Sequence, residues 1–477
     1  MTTFHNTDDS KDAPGAVVTQ RVCVVGAGYV GLTAAAGLAE LGHDVACLEA
    51  DPARLATLQA GGIPIHEPGL DELVRTHMAA GRLRFTGEVA EAVAGAGIAL
   101  LCVGTPPRPD GDPDLRQLGN AAIQVTRAAI SDLVLVVKST VPPGSCEALE
   151  LLAGGHAPEG VAVSVASNPE FLREGEALFD FFNPDRVVIG ADDPTTRERV
   201  SGLYPSTWPT LHCDRRSAEL VKYAANTFLA LKISFANEVA ALSESLGAES
   251  HKVLTGVGLD NRIGGDFLSP GPGFGGSCLP KDLSGFIAVS DSVGQPAPLA
   301  RAAQVVNRNA GSAMVDKLEA LLGSLAGRRI GVLGLAFKAG TGDTRFSPAL
   351  RLIKELSERG AVLVASDPLA RVSGDVVEQA EDPYEVAQAA DALVVATGWA
   401  AYRELDPERL RSVMTGHVVL DAVNVLDPDA FGRAGLDVYG VGRGRPTSFT
   451  PVPWRPLEWM LDADGSPSQP AELPVAS

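Results

Sequence analysis

The chain reads as an α/β protein: two Rossmann-like parallel-sheet domains joined by a long central helix. Three observations predict this. Short apolar runs alternate with helix-forming stretches from residue 20 to about 210, the pattern of a parallel sheet with crossover helices. The alternation returns over residues 311–445. Between the two, Ser217 to Leu246 holds no Gly or Pro and is apolar around most of its circumference. That segment predicts one buried helix of roughly 45 Å at 1.5 Å per residue.

The elements follow in order. Arg21 to Val25 is a strand running into Gly26-Ala27-Gly28-Tyr29-Val30-Gly31, then an alanine-rich helix that stops near Gly42. Val45 to Leu48 is a second strand, ending at Glu49. Ile98 to Val103 ends in Gly104-Thr105-Pro106-Pro107, and Leu133 to Val137 ends in Lys138-Ser139-Thr140-Val141-Pro142-Pro143-Gly144. In such sheets ligands bind beyond the carboxyl ends of the strands, where Glu49, Thr105 and Thr140 all fall. In the second half, Arg329 to Leu333 leads to Gly334-Leu335-Ala336-Phe337-Lys338, and Ala361 to Ala365 leads to Ser366-Asp367-Pro368. Ala392 to Ala396 and Val418 to Leu420 complete a degenerate echo of the first domain. Its glycine fingerprint is incomplete, so no dinucleotide is expected there.

The resulting division is 1–19 as a disordered N-terminus, 20–210 as the first Rossmann domain, and 211–310 as a central helical region. Residues 311–445 form the second Rossmann-like domain, and 446–477, rich in Pro, Ser and Asp, an extended or disordered tail.

The 477 residues suffice for two to three domains, and an apolar content of 45% supplies their cores. The net charge of −20 excludes nucleic acid or an anionic membrane as the main partner. No apolar run approaches a membrane span, and the N-terminus carries no secretion pattern. The six cysteines show no CxxC pair, which fits a reducing cytoplasm. The eight histidines show no metal spacing, so no metal is expected.

Gly26-x-Gly28-x-x-Gly31 follows a strand and opens a helix, the dinucleotide fingerprint. Gly26 permits the turn, Gly28 clears room for a pyrophosphate on the helix N-terminus, and Gly31 allows close packing. Glu49 can accept hydrogen bonds from both ribose hydroxyls and would repel a 2′-phosphate, so NAD is favoured over NADP. The competing reading is a packing turn with a solvated glutamate.

Cys278 lies in Gly-Pro-Gly-Phe-Gly-Gly-Ser-Cys-Leu-Pro-Lys-Asp, Gly271 to Asp282. The glycines let a ligand or a second backbone come close, and a thiol beside cations such as Lys281 ionises more easily. A buried structural cysteine is the alternative. Lys222 and Asn226, four apart, share a face of the long helix; they suit an oxyanion near Cys278, or equally a snorkelling lysine and a structural amide. In Asn168-Pro169-Glu170-Phe171-Leu172-Arg173-Glu174-Gly175, either carboxylate could position or deprotonate a water, or serve only as a helix-terminal acid.

At these residues the chain resembles the UDP-glucose/GDP-mannose dehydrogenase family, over about residues 20 to 445. The motifs are VxGAGYVG (Val24 to Gly31), IPIHEPGLDEL (Ile63 to Leu73), VGTPP (Val103 to Pro107), STVPPG (Ser139 to Gly144) and NPEFLREG (Asn168 to Gly175). AELVKYAANTFLALKISFANE (Ala218 to Glu238), RIGGDFLSPGPGFGGSCLPKD (Arg262 to Asp282) and GLAFK (Gly334 to Lys338) complete the set. The family oxidises C6 of a nucleotide-linked hexose to a carboxylate with two NAD.

The resemblance implies Cys278 as nucleophile, Lys222 and Asn226 as oxyanion and substrate contacts, and Asp282 in proton handling. It places Glu170, Glu174 and Thr140 beside the hydrolytic water. For NAD it implies Gly26, Gly28, Tyr29, Val30, Gly31, Glu49, Arg54, Thr105, Thr140, Glu174, Lys281 and Arg345. For the UDP-sugar it implies Glu170 with Phe171, Leu172, Arg173 and Glu174, then Phe267, Leu268, Ser269, Pro270, Gly271 and Gly275, with Lys338 and Arg443. Arg262 resembles the arginine that reaches the neighbouring subunit's substrate in a homodimer formed through the central helix. Ser277 stands where N-acetyl-sugar branches usually carry a histidine, and Arg262-Ile263-Gly264 favours UDP-glucose over GDP-mannose. Competing readings are a GDP-mannose or UDP-N-acetylhexosamine enzyme, a two-electron hydroxyacid or polyol dehydrogenase, and a non-catalytic NAD-binding regulatory protein.

Overall fold

A computed structural model describes residues 18–108 and 112–443. The expected disorder of 1–19 and 446–477 falls almost wholly outside these residues. The strands of the first domain are β1 (Arg21–Val25), β2 (Asp44–Leu48), β3 (Leu83–Thr86), β4 (Ile98–Leu101), β5 (Leu133–Val137), β6 (Val163–Ser167), β7 (Val187–Gly190) and β8 (Thr210–Cys213). They form one sheet in the order β3-β2-β1-β4-β5-β6-β7-β8. Pairing is parallel from β3 through β6, then turns antiparallel at Ser167↔Gly190 before β7 and β8 run parallel again. β1, β4 and β5 are apolar at almost every position because both faces of the sheet are covered. Val22, Val24 and Leu100 point into one layer, and Cys23, Leu101 and Leu135 into the other.

The second domain holds β9 (Arg329–Leu333), β10 (Val362–Ser366), β11 (Glu378–Gln379), β12 (Ala392–Val395), β13 (Val418–Asp421) and β14 (Asp437–Gly440). Their order is β11-β10-β9-β12-β13-β14, all parallel. Both sheets reverse strand order beside their first strand, at β1/β4 and β9/β12, the position where such sheets open a ligand crevice. The second domain closes its own turn: Asp367, after β10, accepts the Leu335 and Ala336 N–H groups at 2.7 and 3.0 Å and the Trp399 indole at 3.1 Å.

The long helix runs Arg215–Leu246, capped at its start by the Asp214 side chain and ended by Gly247 in the left-handed region. Its expected burial holds on one side only. Tyr223, Ala230 and Ala236 are enclosed, while Phe228 is 63% and Leu242 59% exposed. The helices Leu279–Ser292 and Pro298–Leu322 lie against the buried side. There Gly285 lets the first approach closely, since a Cβ would meet the Tyr223 ring at 2.5 Å.

Candidate active site

The fingerprint turn is built as its glycines require. Gly26 sits at φ +96°, and a Cβ on Gly31 would lie 1.8 Å from the Gly26 carbonyl oxygen. A Cβ on Gly28 would meet nothing within 4 Å, so open space stands before the helix Tyr29–Glu40. Tyr29 and Val30 are the first two residues of that helix. Glu49, 5% exposed, accepts the Ala27 N–H at 3.1 Å, the Asp51 N–H at 2.8 Å and the Arg54 guanidinium at 3.2 Å. Open space at a helix N-terminus beside a fixed carboxylate fits a dinucleotide's pyrophosphate and ribose. Thr105 donates to the Thr140 carbonyl at 2.9 Å, joining the ends of β4 and β5.

The remaining polar groups converge on Cys278. Lys222 donates to Glu170 at 2.9 Å, with side chains 4% and 8% exposed. Its ammonium also stands 5.4 Å from the centre of the Phe171 ring. Asn226 donates to Asp282 at 2.6 Å, and Lys281 pairs with the other Asp282 oxygen. Cys278 caps the helix Leu279–Ser292, its carbonyl accepting the Asp282 N–H at 2.8 Å. That places the thiol and Asp282 on adjoining turns.

The thiol does not behave as its neighbours in sequence suggest. Burial pushes it above its ordinary value, Glu170 and Asp282 push it further, and Lys222 and the Ser277 hydroxyl only partly offset them. Lys281 is turned to Asp282 instead of the sulfur. Burial opposes the charged form of Glu170 as well, yet Lys222 and the Leu172 N–H hold that carboxyl below its usual range. Burial likewise disfavours charged Lys222, but Glu170, Asp282 and Cys278 outweigh it and raise the ammonium. The pair therefore stands ionised. Glu174 goes the other way: burial and Asp343 raise its carboxyl against Arg345 and Ser277.

The glycine-rich approach to Cys278 is filled by backbone and an aromatic ring from the second domain. A Cβ on Gly275 would meet the Phe346 carbonyl oxygen at 2.3 Å, and one on Gly276 the Phe337 ring at 2.7 Å. Glu174 crosses the same seam. It accepts from Ser277 at 3.2 Å and Thr341 at 3.5 Å and stands 3.5 Å from Arg345, which is itself chelated by Asp343.

The expected sugar-nucleotide residues are spread around this seam. Phe267 adopts φ +62°, a strained value for an aromatic residue. Leu268 is buried, Ser269 and Pro270 follow, and the Gly271 N–H donates to Asn237 at 2.8 Å, beside Ala422 at the end of β13. Lys338 is half-buried, and burial lowers its ammonium. Arg443 has a buried Nε with no partner. Arg173 is held by Asp180 and Glu176 in its own segment, and Arg262 is exposed and paired with Asp260.

Three carboxylates carried no expectation from sequence. Glu67 and Glu219 bind backbone N–H groups, and Asp343 holds Arg345. Glu67 lies inside the quoted IPIHEPGLDEL segment, which was its only signal.

Residues 20–208 match the NAD binding domain of the UDP-glucose/GDP-mannose dehydrogenase family, 216–309 its central domain and 331–428 its UDP binding domain. A UDP-glucose 6-dehydrogenase of Rhizobium meliloti (strain 1021) is 41% identical over 435 residues, covering 89% of this chain and 99% of that one. The solved UDP-glucose dehydrogenase of the archaeon Pyrobaculum islandicum is 42% identical with a TM-score of 0.84, covering 91% of this chain and 100% of that one. A UDP-D-ManNAc dehydrogenase structure from Pyrococcus horikoshii stands at 28% and 0.80, covering 89% and 99%. With three consecutive domains matched in order and similarity along nearly the whole of its relatives, the chain belongs to the UDP-glucose/GDP-mannose dehydrogenase family.

Proposed function

We propose that the protein oxidises UDP-glucose at C6 to UDP-glucuronate, a four-electron oxidation that passes through a thioester on Cys278. The observation that carries this reading is the buried ionised pair Lys222–Glu170 next to Asn226–Asp282, all around one thiol. The 41–42% identity to UDP-glucose enzymes, against 28% to a UDP-D-ManNAc enzyme, favours the substrate. Bound NAD supplies the hydride acceptor, once for each of the two oxidations.

The chain's own residues do the rest. Asp282, through water, receives the proton of the C6 hydroxyl as the carbon is oxidised. Asp282 releases that proton to solvent, and the Cys278 thiol then gives its own through the same water to Asp282 as sulfur bonds to the aldehyde carbon; the resulting oxyanion is stabilised by Lys222 and Asn226 donors. Removal of one such donor commonly costs ~2.7–4 kcal/mol of transition-state stabilisation. A second oxidation of that carbon gives the thioester. Hydrolysis breaks the carbon–sulfur bond, with water supplying the new oxygen and its proton passing to a carboxylate. Glu174 suits that task better than Glu170. Its carboxyl is raised toward the working pH, whereas Glu170 is a poor base because Lys222 holds it ionised. Glu170 instead fixes the ammonium, and Thr140 orders the water. Arg345 and Lys281 are assigned to the cofactor, and Lys338 and Arg443, with the Phe267–Gly271 loop, to the nucleotide.

Two further readings accompany this. Exposed Leu220, Phe228, Phe235 and Leu242 on the long helix support a homodimer through that helix, with Arg262 reaching across. The six cysteines are all free, which supports a reducing cytoplasmic setting. Among the described residues no helix is long and apolar enough to cross a membrane.

The test is stoichiometry. Purified protein should form two NADH per UDP-glucuronate, and GDP-mannose or UDP-N-acetyl sugars should not substitute. A ratio of one would point to a simple two-electron dehydrogenase. Cys278→Ser should release no acid; full turnover in that variant would remove the thioester.

A further inference from the structure

The segment Ile63 to Leu73 has no task in the chemistry above, yet it supplies a buried carboxylate. Glu67 is 4% exposed. One of its oxygens accepts the phenol of Tyr29 and the Gly175 N–H at 2.9 Å, and the other the Leu178 N–H at 3.2 Å. The Gly175 N–H also points to the Tyr29 oxygen at 2.5 Å. That N–H belongs to the peptide unit whose carbonyl carbon is Glu174, so anchoring it fixes the backbone from which the Glu174 side chain departs.

The other side of the same glycine is equally constrained. Gly175 has φ +82°, and a Cβ there would lie 2.4 Å from the Gly340 carbonyl oxygen of the second domain. The segment is thus clamped between the fingerprint helix and the GLAFK turn. Its carboxylate meets Ser277, the residue before the nucleophile.

We propose that Glu67 is a positioning residue for Glu174, acting through the Gly175 peptide with Tyr29 as its partner. This rests on the reading of Glu174 as the group that takes the hydrolytic proton. The charged and titratable groups facing Glu174 are Asp343, Arg345, Lys338 and Tyr29. A loosened peptide lets water reach Glu174, so its carboxyl falls toward the ordinary range and the acid limb of kcat moves to lower pH.

The experiment compares wild type, Glu67→Gln and Tyr29→Phe. In each, kcat and KM are measured across pH, with hydrogen exchange of the peptide spanning 170–178 and thermal midpoints alongside. An amide at position 67 cannot accept at both oxygen positions, so Glu67→Gln should lower kcat about ten-fold with KM for UDP-glucose within about two-fold. The acid limb should move down, and exchange at 174–178 should rise. Tyr29→Phe keeps the Glu67 bond to Gly175, so the same changes should be smaller. A lower thermal midpoint with wild-type kcat, acid limb and exchange in both variants overturns the proposal. If Glu67→Gln does not fold, the acid limb and exchange of Tyr29→Phe decide. A wild type yielding one NADH per sugar would defeat the proposed function instead, and the exchange data would still report on the clamp.

Discussion

Burial and the carboxylates of Glu170 and Asp282 hold the Cys278 thiol above its ordinary range, against the pull of Lys222. The sign yields a test without substrate. Glu170→Gln removes a group that raises the thiol and leaves Lys222 to lower it. Iodoacetamide should therefore alkylate Cys278 several-fold faster at pH 8 in that variant, since one unit of pKa is about a ten-fold change in thiolate. Turnover should fall, because Lys222 loses the carboxylate that positions it. Slower alkylation would mean that Glu170 acts on the sulfur in some other way. At this scale residue type and spacing singled out Cys278 and put Lys222 and Asn226 on one helix face, while the part given to Asp282 came from the family resemblance. The role of Glu67 was not, since a buried carboxylate that binds backbone N–H groups looks in sequence like any solvated acid.

Among the elements, the long helix links chemistry to fold. Lys222 and Asn226 face Cys278, and one turn before them Glu219 accepts the Gly144 and Cys146 N–H groups at 2.6 and 2.8 Å. Those groups open the helix Ser145–Gly154, directly after the loop that carries Thr140. The long helix therefore caps a first-domain helix with a side chain, satisfying N–H groups that every helix start leaves unpaired. Glu219→Ala should cost ~1–3 kcal/mol in urea unfolding, the penalty for buried donors left without acceptors. Unchanged stability would mean that water replaces the carboxylate. The helix itself was readable from its lack of Gly and Pro, within two residues at its start. Its exposed side was not, because apolar residues around the circumference look alike whether they meet the same chain or another.

At the scale of the whole molecule, the second domain packs on the Cys278 loop, where Gly275 admits the Phe346 carbonyl and Gly276 the Phe337 ring. The apolar side of the long helix remains uncovered within one chain, with Phe228 63% and Phe235 49% exposed. Apolar side chains exposed in this way suit the homodimer proposed above. Light scattering on the wild type should give twice the chain mass of 49.5 kDa, and Phe228→Glu with Phe235→Glu should give the single-chain mass. A wild type that runs as a monomer would remove the dimer and, with it, any trans role for Arg262.

Sequence by itself determined the two sheets, the fingerprint turn and the long helix, and it marked Cys278 as the candidate nucleophile. These are written locally, in hydrophobic period, glycine spacing and motif order. Tertiary structure decided what those residues experience: a thiol raised instead of lowered, a Glu170 committed to Lys222, a Glu174 raised by burial and by Asp343 from another domain. Charge acts through space, and the groups that set these states stand as many as 169 positions apart, Glu174 to Asp343, so no local pattern can report them.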